Sequence, residues 1–521
     1  MVYHVPTIQN IIGARMVYLS AFLCCVAKVL VEEAGDPMGE LQSYLLKQGL
    51  SVSSISEKGR CLFVGRDFSP GEVIFSQEPY ASVLDKGSLS NRCDGCFTSG
   101  LNLKRCSSCR MTWYCGGACQ RSEWKSHQHE CLALVNLSEE RRNMLTSSIR
   151  LMVRLLLRRR LQNDRVISSN VTDNYNLVQE LVAHMSDIDE KKLVLYAQMA
   201  NLVKLILPNE EIDVKEIVQN FSRLVCNAHT ICDSELRPLG TGIYPVMSII
   251  NHSCAPNSVL LFEGKLAVIR AMEAIPKGAE VLISYIEIAG STETRRKALK
   301  EQYLFSCTCL RCIKVGSDDD LKESALLEGF RCINDQCDGF LLPNPDGKNF
   351  TCQRCGLLRN ECKTRKRKEE VGEKLDYASK FVSSGKYSEA CNLYRIIDQQ
   401  QMELYHPLSI GLMRTRETLV MILMELKDCE EALRYCQLTI PVYQRAYPEF
   451  HPLLGLQYYT CGKLEWFLGK TLNAVKSLTK AADILKVTHG ATTPLVRDLM
   501  CLLEEARAET AHLSHISDFE P

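Results

Sequence analysis

Between residues 93 and 131 the chain carries seven cysteines and two histidines, and eight of these nine residues fall in an order that constrains its fold more than any other segment. Cys93, Cys96, Cys106, Cys109, Cys115, Cys119, His127 and Cys131 form C-x2-C-x9-C-x2-C-x5-C-x3-C-x7-H-x3-C. A short Cys-x-x-Cys pair places two thiolates on one turn, which suits a tetrahedral metal better than a disulfide. Eight ligands fill two such sites. We read them as interleaved, with Cys93, Cys96, Cys115 and Cys119 on one zinc ion and Cys106, Cys109, His127 and Cys131 on the other. His129 ranks second as the nitrogen ligand. So short a segment has too little apolar surface to fold unaided, so the metal supplies much of its stability.

The chain as a whole has 26 cysteines among 521 residues. That number fits either a disulfide-rich secreted protein or a metal-binding protein of a reducing compartment, and the paired spacing favours the second. Lysine plus arginine and aspartate plus glutamate both number 62, for a formal net charge of zero. Bulk charge therefore gives no reason to expect sequence-independent nucleic-acid binding. The apolar run Met16–Val31 follows Arg15 and faintly resembles a signal peptide, but it is short for a membrane span and contains Lys28. We read residues 1–37 as an N-terminal extension, with Met38 available as a second start. Secretion would oxidise the thiols that the rest of the chain needs.

Strand-like runs at Cys61–Val64, Val73–Phe75 and Ala81–Leu84 precede the cysteine cluster, separated by turns at Lys58-Gly59 and Ser69-Pro70-Gly71. Three-to-four spacing then predicts helices in Met144–Leu161 and Lys191–Leu207. Arg158-Arg159-Arg160 within the first reads as a solvated face. Strand signals return at Val259–Phe262, Leu266–Ile269 and Val281–Tyr285. A β-rich unit that starts before the cluster and resumes after a helical stretch implies one domain split by two insertions. Further cysteines follow. Cys307, Cys309 and Cys312 form C-x-C-x2-C, and Cys332, Cys337, Cys352 and Cys355 read as a small zinc ribbon that would carry a fourth zinc.

Beyond the basic run Lys363–Lys368, read as a solvated linker, the pattern is helical. Ala390, Ala432 and Ala474 recur every 42 residues in similar contexts, with His406-Pro407 and His451-Pro452 punctuating the rhythm. A small residue at a helix crossing and a proline in the connector fit stacked helical hairpins of tetratricopeptide type.

The finger, with its Trp113-Tyr114-Cys115 step and Trp124-Lys125-x-His127 ending, resembles the MYND zinc finger, a module that in its family usually binds proteins, often proline-containing peptides. Gly242-Ile243-Tyr244-Pro245, Asn251-His252-Ser253-Cys254, the run ending at Tyr285 and the three cysteines after it resemble the SET- and MYND-domain family of protein-lysine methyltransferases, closely over about residues 45–315 and loosely in the tail. The resemblance implies an α+β multidomain fold: residues 45–92 and 226–290 form a split SET domain around a MYND finger at 93–131 and a helical insertion at 132–225. A post-SET zinc region at 291–315, the ribbon at 330–358 and a TPR-like domain at 370–515 follow.

It also implies S-adenosyl-L-methionine as methyl donor and protein lysines, histone or not, as acceptors. Tyr285 is then the catalytic tyrosine, with Tyr303 and Tyr244 as walls of the lysine channel. Lys58, Arg60, His184, Asn227, Ser248, Ile250, Asn251, His252 and Phe305 join Tyr285 around the cofactor. Cys254 joins Cys307, Cys309 and Cys312 on a third zinc. The chemistry suits such a set, because methyl transfer is an in-line displacement that needs an aligned, neutral amine and excluded water rather than a protein nucleophile. One departure stands out: Cys61 occupies a position that is commonly glycine in the family, and a side chain there would be costly if the backbone had positive φ or approached the cofactor. That departure sustains a competing reading, a non-catalytic zinc-finger and TPR adaptor with a degenerate SET domain. We expect a monomer of the nucleus, the cytoplasm or both, with no membrane partner.

Overall fold

The strands on either side of the finger pair with one another, as a split domain requires. In this computed structural model, which describes residues 36–344 and 347–517, β1 (Leu50–Ile55), β2 (Gly59–Val64), β3 (Val73–Gln77) and β4 (Ala81–Leu84) precede the finger. Its short ribbon, β5 (Lys104–Arg105) and β6 (Trp113–Tyr114), lies inside the insertion. After it come β7 (Ala228–Cys232), β8 (Pro238–Ile243), β9 (Asn251–His252), β10 (Ser258–Glu263), β11 (Leu266–Ala271) and β12 (Leu282–Ile283). Antiparallel pairing of β3 with β11 and of β4 with β8 closes the domain across the insertions, giving sheets in the orders β10-β11-β3 and β4-β8-β7. The apolar segment Met16–Val31 lies outside the described residues, and no described helix is long and apolar enough to cross a membrane.

The helix Pro37–Lys47 belongs to this domain, which therefore begins ahead of residue 45. Asp36 caps the helix by accepting the Met38 amide at 3.1 Å, and the i, i+4 pair Leu41 and Leu45 is wholly buried in the core with Leu62, Ile250 and Ile283. The run read as one helix from Met144 breaks at Leu145, because the Thr146 hydroxyl accepts the Ile149 amide and starts a new helix, Ser147–Asn163. On that helix the arginine triplet is paired, not solvated. Arg158 meets Asp173 at 2.5 Å, Arg159 meets Glu216 and Arg160 meets Glu210. Two more arginines of the helix, Arg150 and Arg154, grip the finger from beneath. Arg154 donates to Asp94 Oδ2 at 2.7 Å, to Glu130 Oε2 at 2.9 Å and to the Ser82 carbonyl of β4 at 2.7 Å. Asp94 and Glu130 belong to the finger and are almost fully buried.

The zinc ribbon is a three-stranded sheet, Leu341–Pro343, Asn349–Cys352 and Leu358–Asn360. It docks on the tail through Phe330, whose ring stacks on Tyr405 at 5.9 Å between centroids. The basic run is helical rather than a linker, lying in the first turns of Glu361–Ser383, where Arg365 pairs with Glu361 at i, i+4. The tail repeats as read. Helices starting at Tyr387, Cys429 and Thr471 each bury their alanine, Ala390, Ala432 and Ala474, completely against the partner helix of the hairpin. The last hairpin reaches back to the split domain, where His489 Nε2 donates to the Ser234 carbonyl at 2.9 Å.

Candidate active site

Four sulfur-rich clusters have the geometry of metal sites. Ligands about 2.3 Å from a tetrahedral zinc stand about 3.8 Å from one another. Cys96 and Cys115 are 3.8 Å apart, Cys106 and Cys131 3.8 Å, Cys109 and His127 Nε2 3.7 Å, Cys254 and Cys312 3.5 Å, and Cys337 and Cys352 3.7 Å. The four groups are the expected ones: Cys93, Cys96, Cys115 and Cys119; Cys106, Cys109, His127 and Cys131; Cys254, Cys307, Cys309 and Cys312; Cys332, Cys337, Cys352 and Cys355. Every described cysteine is a free thiol. His129, the second choice of ligand, instead accepts from Arg160 at 2.8 Å through Nδ1. Thiolate-rich sets of this shape fit zinc.

The third cluster is wired to the expected catalytic residue. Parallel pairing of β12 with β9 brings Leu282 and Ile283 against Asn251 and His252, and the chain then bends so that Tyr285 follows at the strand end. His252 Nδ1 accepts the Tyr285 backbone N–H at 3.0 Å, while its Nε2–H points at Cys254 Sγ, 3.2 Å away. Burial pushes the imidazole pKa down to about 4, in keeping with a neutral ring that donates from one nitrogen and accepts at the other. The Tyr285 hydroxyl donates to the Ile250 carbonyl at 2.5 Å, and burial raises its pKa well above that of a free phenol. The Tyr303 ring lies 4.9 Å from that of Tyr285, tilted by 44°, and its hydroxyl donates to the Tyr285 carbonyl at 3.3 Å; Phe305 lies 6.5 Å from the Tyr285 ring and 6.1 Å from His252.

Tyr285 and Tyr303 line a cleft of about 760 Å³. Asn227, His229 and Ser248 share its wall, and His451, Pro452 and Leu453 of the tail line it too. Tyr244, expected on the channel wall, is instead fully enclosed. Its hydroxyl donates to the Lys265 carbonyl at 2.6 Å and its ring packs on Phe262, so it supports the wall from behind. His229 escaped the sequence reading; it stands on β7, two residues beyond Asn227, which ends the preceding helix, and both line the cleft. Burial lowers its pKa to about 4.

The remaining expected cofactor residues converge behind Tyr285. Asn251 Nδ2 donates to the Arg60 carbonyl at 3.0 Å, to Cys61 Sγ at 3.1 Å and to Glu280 Oε1 at 2.9 Å; Lys58 Nζ lies 2.7 Å from Glu280 Oε2. The segment 180–184 of the helical insertion folds over the same place. Arg60 donates to the Glu180 carbonyl at 2.6 Å and Asn227 to the Val182 carbonyl at 2.9 Å, while His184 sits at the bend with φ +46° and pairs with Asp187. Ser248 donates to the Asn227 and Tyr244 carbonyls. Glu280 had no signal in the sequence. Cys61 does not carry the feared strain. It is an ordinary residue of β2 with its thiol buried, and positive φ falls instead on Gly59, at +74°, where a side chain would meet nothing within 4 Å. Amide, ammonium, carboxylate and aromatic groups within one surround fit a zwitterionic amino acid joined to a nucleoside, the chemistry of S-adenosyl-L-methionine.

A double-zinc finger set into a split β-domain, with a tyrosine lining a cleft beside a third cysteine site, is the architecture of a SET- and MYND-domain protein. Comparison with known proteins agrees. The MYND finger family matches residues 93–131. Histone-lysine N-methyltransferase ASHR1 of Arabidopsis thaliana is 54% identical over 475 residues, spanning 91% of this chain and 99% of its own. Histone-lysine N-methyltransferase SMYD3 of Mus musculus is 29% identical over 459 residues, spanning 87% of this chain and 96% of its own. N-lysine methyltransferase SMYD2 of Rattus norvegicus is 27% identical over 453 residues, spanning 87% and 97%. The chain belongs to the SET- and MYND-domain protein-lysine methyltransferase family.

Proposed function

We infer that this chain transfers a methyl group from S-adenosyl-L-methionine to lysine side chains of proteins, histone or non-histone, with Tyr285 as the residue that meets the reacting amine. The observation that carries the reading is the position of Tyr285. It lines the cleft, fixed at its backbone by His252 and at its hydroxyl by the Ile250 carbonyl. The bound sulfonium supplies the methyl carbon. Everything else falls to the protein. The Tyr285 hydroxyl spends its proton on Ile250, so its lone pairs are left to accept N–H from an amine in the cleft. Burial keeps that phenol protonated, so it offers no competing nucleophile. Tyr303 packs beside it at a tilt and narrows the approach. Lys58, Arg60, Asn251, His252, Ile250, His184 and Phe305 are proposed to hold the donor behind Tyr285, together with Asn227 and Ser248, which also line the cleft.

An extended substrate fits the cleft, because β7 and β10 are outer strands of their sheets and both contribute to its walls. The finger is proposed to bind proline-containing peptides; its Trp124, 44% exposed and edge-on to His127, supports that role. Action in the nucleus or cytoplasm, both reducing, suits the free thiols.

Tyr285→Phe is the test. Removing one orienting hydrogen bond costs about 1.5–3 kcal/mol, or roughly 10- to 150-fold in rate. Transfer of label from the methyl donor should fall by that factor with zinc content unchanged; equal rates would remove Tyr285 from the reaction.

A further inference from the structure

Residues 180–184 form a strap whose backbone is held at every step. They lie between the short helix Tyr175–Gln179 and the helix Glu190–Ile206, and the carbonyls of such a connector ordinarily turn to water. Here four successive carbonyls are taken by side chains from elsewhere in the chain. Arg60 of β2 holds that of Glu180 at 2.6 Å and Asn227 holds that of Val182 at 2.9 Å. Arg223 Nε donates to the Leu181 carbonyl at 3.3 Å, and the Ser222 hydroxyl donates to that of Ala183. His184 follows with φ +46°, in the left-handed region that a residue other than glycine keeps only where its surroundings fix it. A turn that merely joined two helices would need none of these bonds.

Three of those four side chains, Ser222, Arg223 and Asn227, come from the helix Val214–Asn227, where Arg223 and Asn227 belong to a polar stripe. Glu216, Asn220, Arg223 and Asn227 stand at i, i+4, i+7 and i+11, and so share one face. Arg223 Nη1 donates to Asn220 Oδ1 at 2.9 Å, Asn220 Nδ2 to the Tyr175 hydroxyl at 2.8 Å, and that hydroxyl to Glu216 Oε1 at 3.0 Å. Glu216 is in turn the partner of Arg159, the middle member of the arginine triplet. Asn220 is 1% exposed and Tyr175 7%. Polar groups at this depth are costly unless each is paired, and apolar side chains would join these helices with less demand on geometry. What the network supplies is a fixed place for Leu181 and the strap around it, beside the two residues, His184 and Asn227, proposed above to meet the methyl donor.

We propose that Arg223 is a positioning residue for methyl transfer: it fixes the strap 180–184 so that His184 and Asn227 meet the methyl donor in one arrangement. The proposal rests on the lysine-methyltransferase reading above and deepens it. Arg223 acts indirectly, through the Leu181 carbonyl, and it carries the tension of the Arg159–Glu216–Tyr175–Asn220 network to that point. Loosening the strap therefore weakens capture of the methyl donor and leaves capture of the protein substrate as it was.

The experiment uses the full chain, with S-adenosylhomocysteine in calorimetry, labelled S-adenosylmethionine and mixed core histones in turnover, and hydrogen exchange of the backbone amides. Arg223→Met should weaken S-adenosylhomocysteine binding and raise KM for the methyl donor, each about tenfold, the loss of one charged hydrogen bond. Its kcat and its KM for histones should stay within about twofold of the parent. The strap amides should exchange about tenfold faster, while those of β2 and β12 exchange as in the parent. Arg223→Lys keeps a donor for Leu181 and should recover most of the affinity. Asn220→Leu removes the brace behind Arg223 and should weaken binding about threefold. A purely structural role would lower the unfolding temperature without separating the two KM values. That result, or parent-like affinity in Arg223→Met, overturns the proposal; if Arg223→Met does not fold, parent-like affinity and strap exchange in Asn220→Leu overturn it instead. A parent chain that binds S-adenosylhomocysteine, loses affinity in the variants and methylates nothing supports this inference and sinks only the methyltransferase reading. A parent that binds none overturns both.

Discussion

Arg154→Met is expected to loosen the finger from the split domain. Arg154 is the shared partner of two nearly buried carboxylates, and the fates of the two differ when it is removed. Glu130 keeps Arg150, which donates to Oε1 at 2.9 Å. Asp94 keeps nothing comparable: its Oδ2 loses the 2.7 Å contact and its Oδ1 already has no hydrogen-bond partner. Breaking a buried pair by deleting one member costs about 3–5 kcal/mol, because the survivor is left charged in a poor solvent. The bond to the Ser82 carbonyl, which ties this helix to β4, is lost as well. The deficit falls at the seam between finger and catalytic domain, so the assay should read that seam. Release of zinc to a chromophoric chelator should speed up for two metal equivalents per chain and stay unchanged for the rest. Asp94→Asn in the same background removes the stranded charge and should recover a good part of the loss, a coupling of at least about 1 kcal/mol in a double-mutant cycle. Unchanged release kinetics for Arg154→Met, or additive effects of the two substitutions, would refute the argument.

Three further expectations follow from the same geometry. Metal analysis of the purified chain should give four zinc ions, and Cys332→Ser with Cys337→Ser should lose one of them while methyl transfer persists, since that cluster contacts the tail and not the cleft. His489 is buried with its pKa pushed down to about 4, below the ordinary value near 6.5; its neutral form is favoured by folding, so that contribution is complete above about pH 6.5 and is lost as pH falls toward 4. His489→Gln should therefore unfold less steeply with acid than the parent, by about 2 kcal/mol between pH 7 and 5 in denaturant titrations, and an unchanged slope would dismiss the histidine. Ala432→Leu, placed where the helices of the middle hairpin cross with no exposed surface, should cost about 1–3 kcal/mol by overpacking, measured as a lower unfolding midpoint of the tail.

The parts of this molecule that could be read from its sequence are those where one residue type does one job at a fixed spacing. Metal ligands must meet in fours, and a helix crossing needs a small side chain, so fifteen of the sixteen ligands and the alanine rhythm were legible from spacing, while Cys254 entered through the family resemblance. Tyrosines were harder. Tyr285 and Tyr244 offer the same phenol, but one hydroxyl reaches Ile250 beside a cleft and the other reaches Lys265 inside the core, a difference set by packing among distant strands. Arginines misled for a related reason: Arg158 to Arg160 resemble a wet helix face until Asp173, Glu216 and Glu210 arrive from other elements. Nor could local pattern show that Leu453, more than 160 residues beyond Tyr285, would line the same cleft.

The pairing of β3 with β11 also bears on how the chain is made. Gln77 waits for Ala267, roughly 190 residues later, and at 5–20 residues per second a ribosome takes roughly 10–40 s to deliver it. Until β8 and β11 are made, β1 and β2 have only each other and β3 and β4 have no native strand partner, while the intervening finger needs only metal to settle. Scarcity of zinc during synthesis would thus leave an unpaired β-edge exposed next to an unfolded loop, a species prone to aggregate before the second half of the sheet exists.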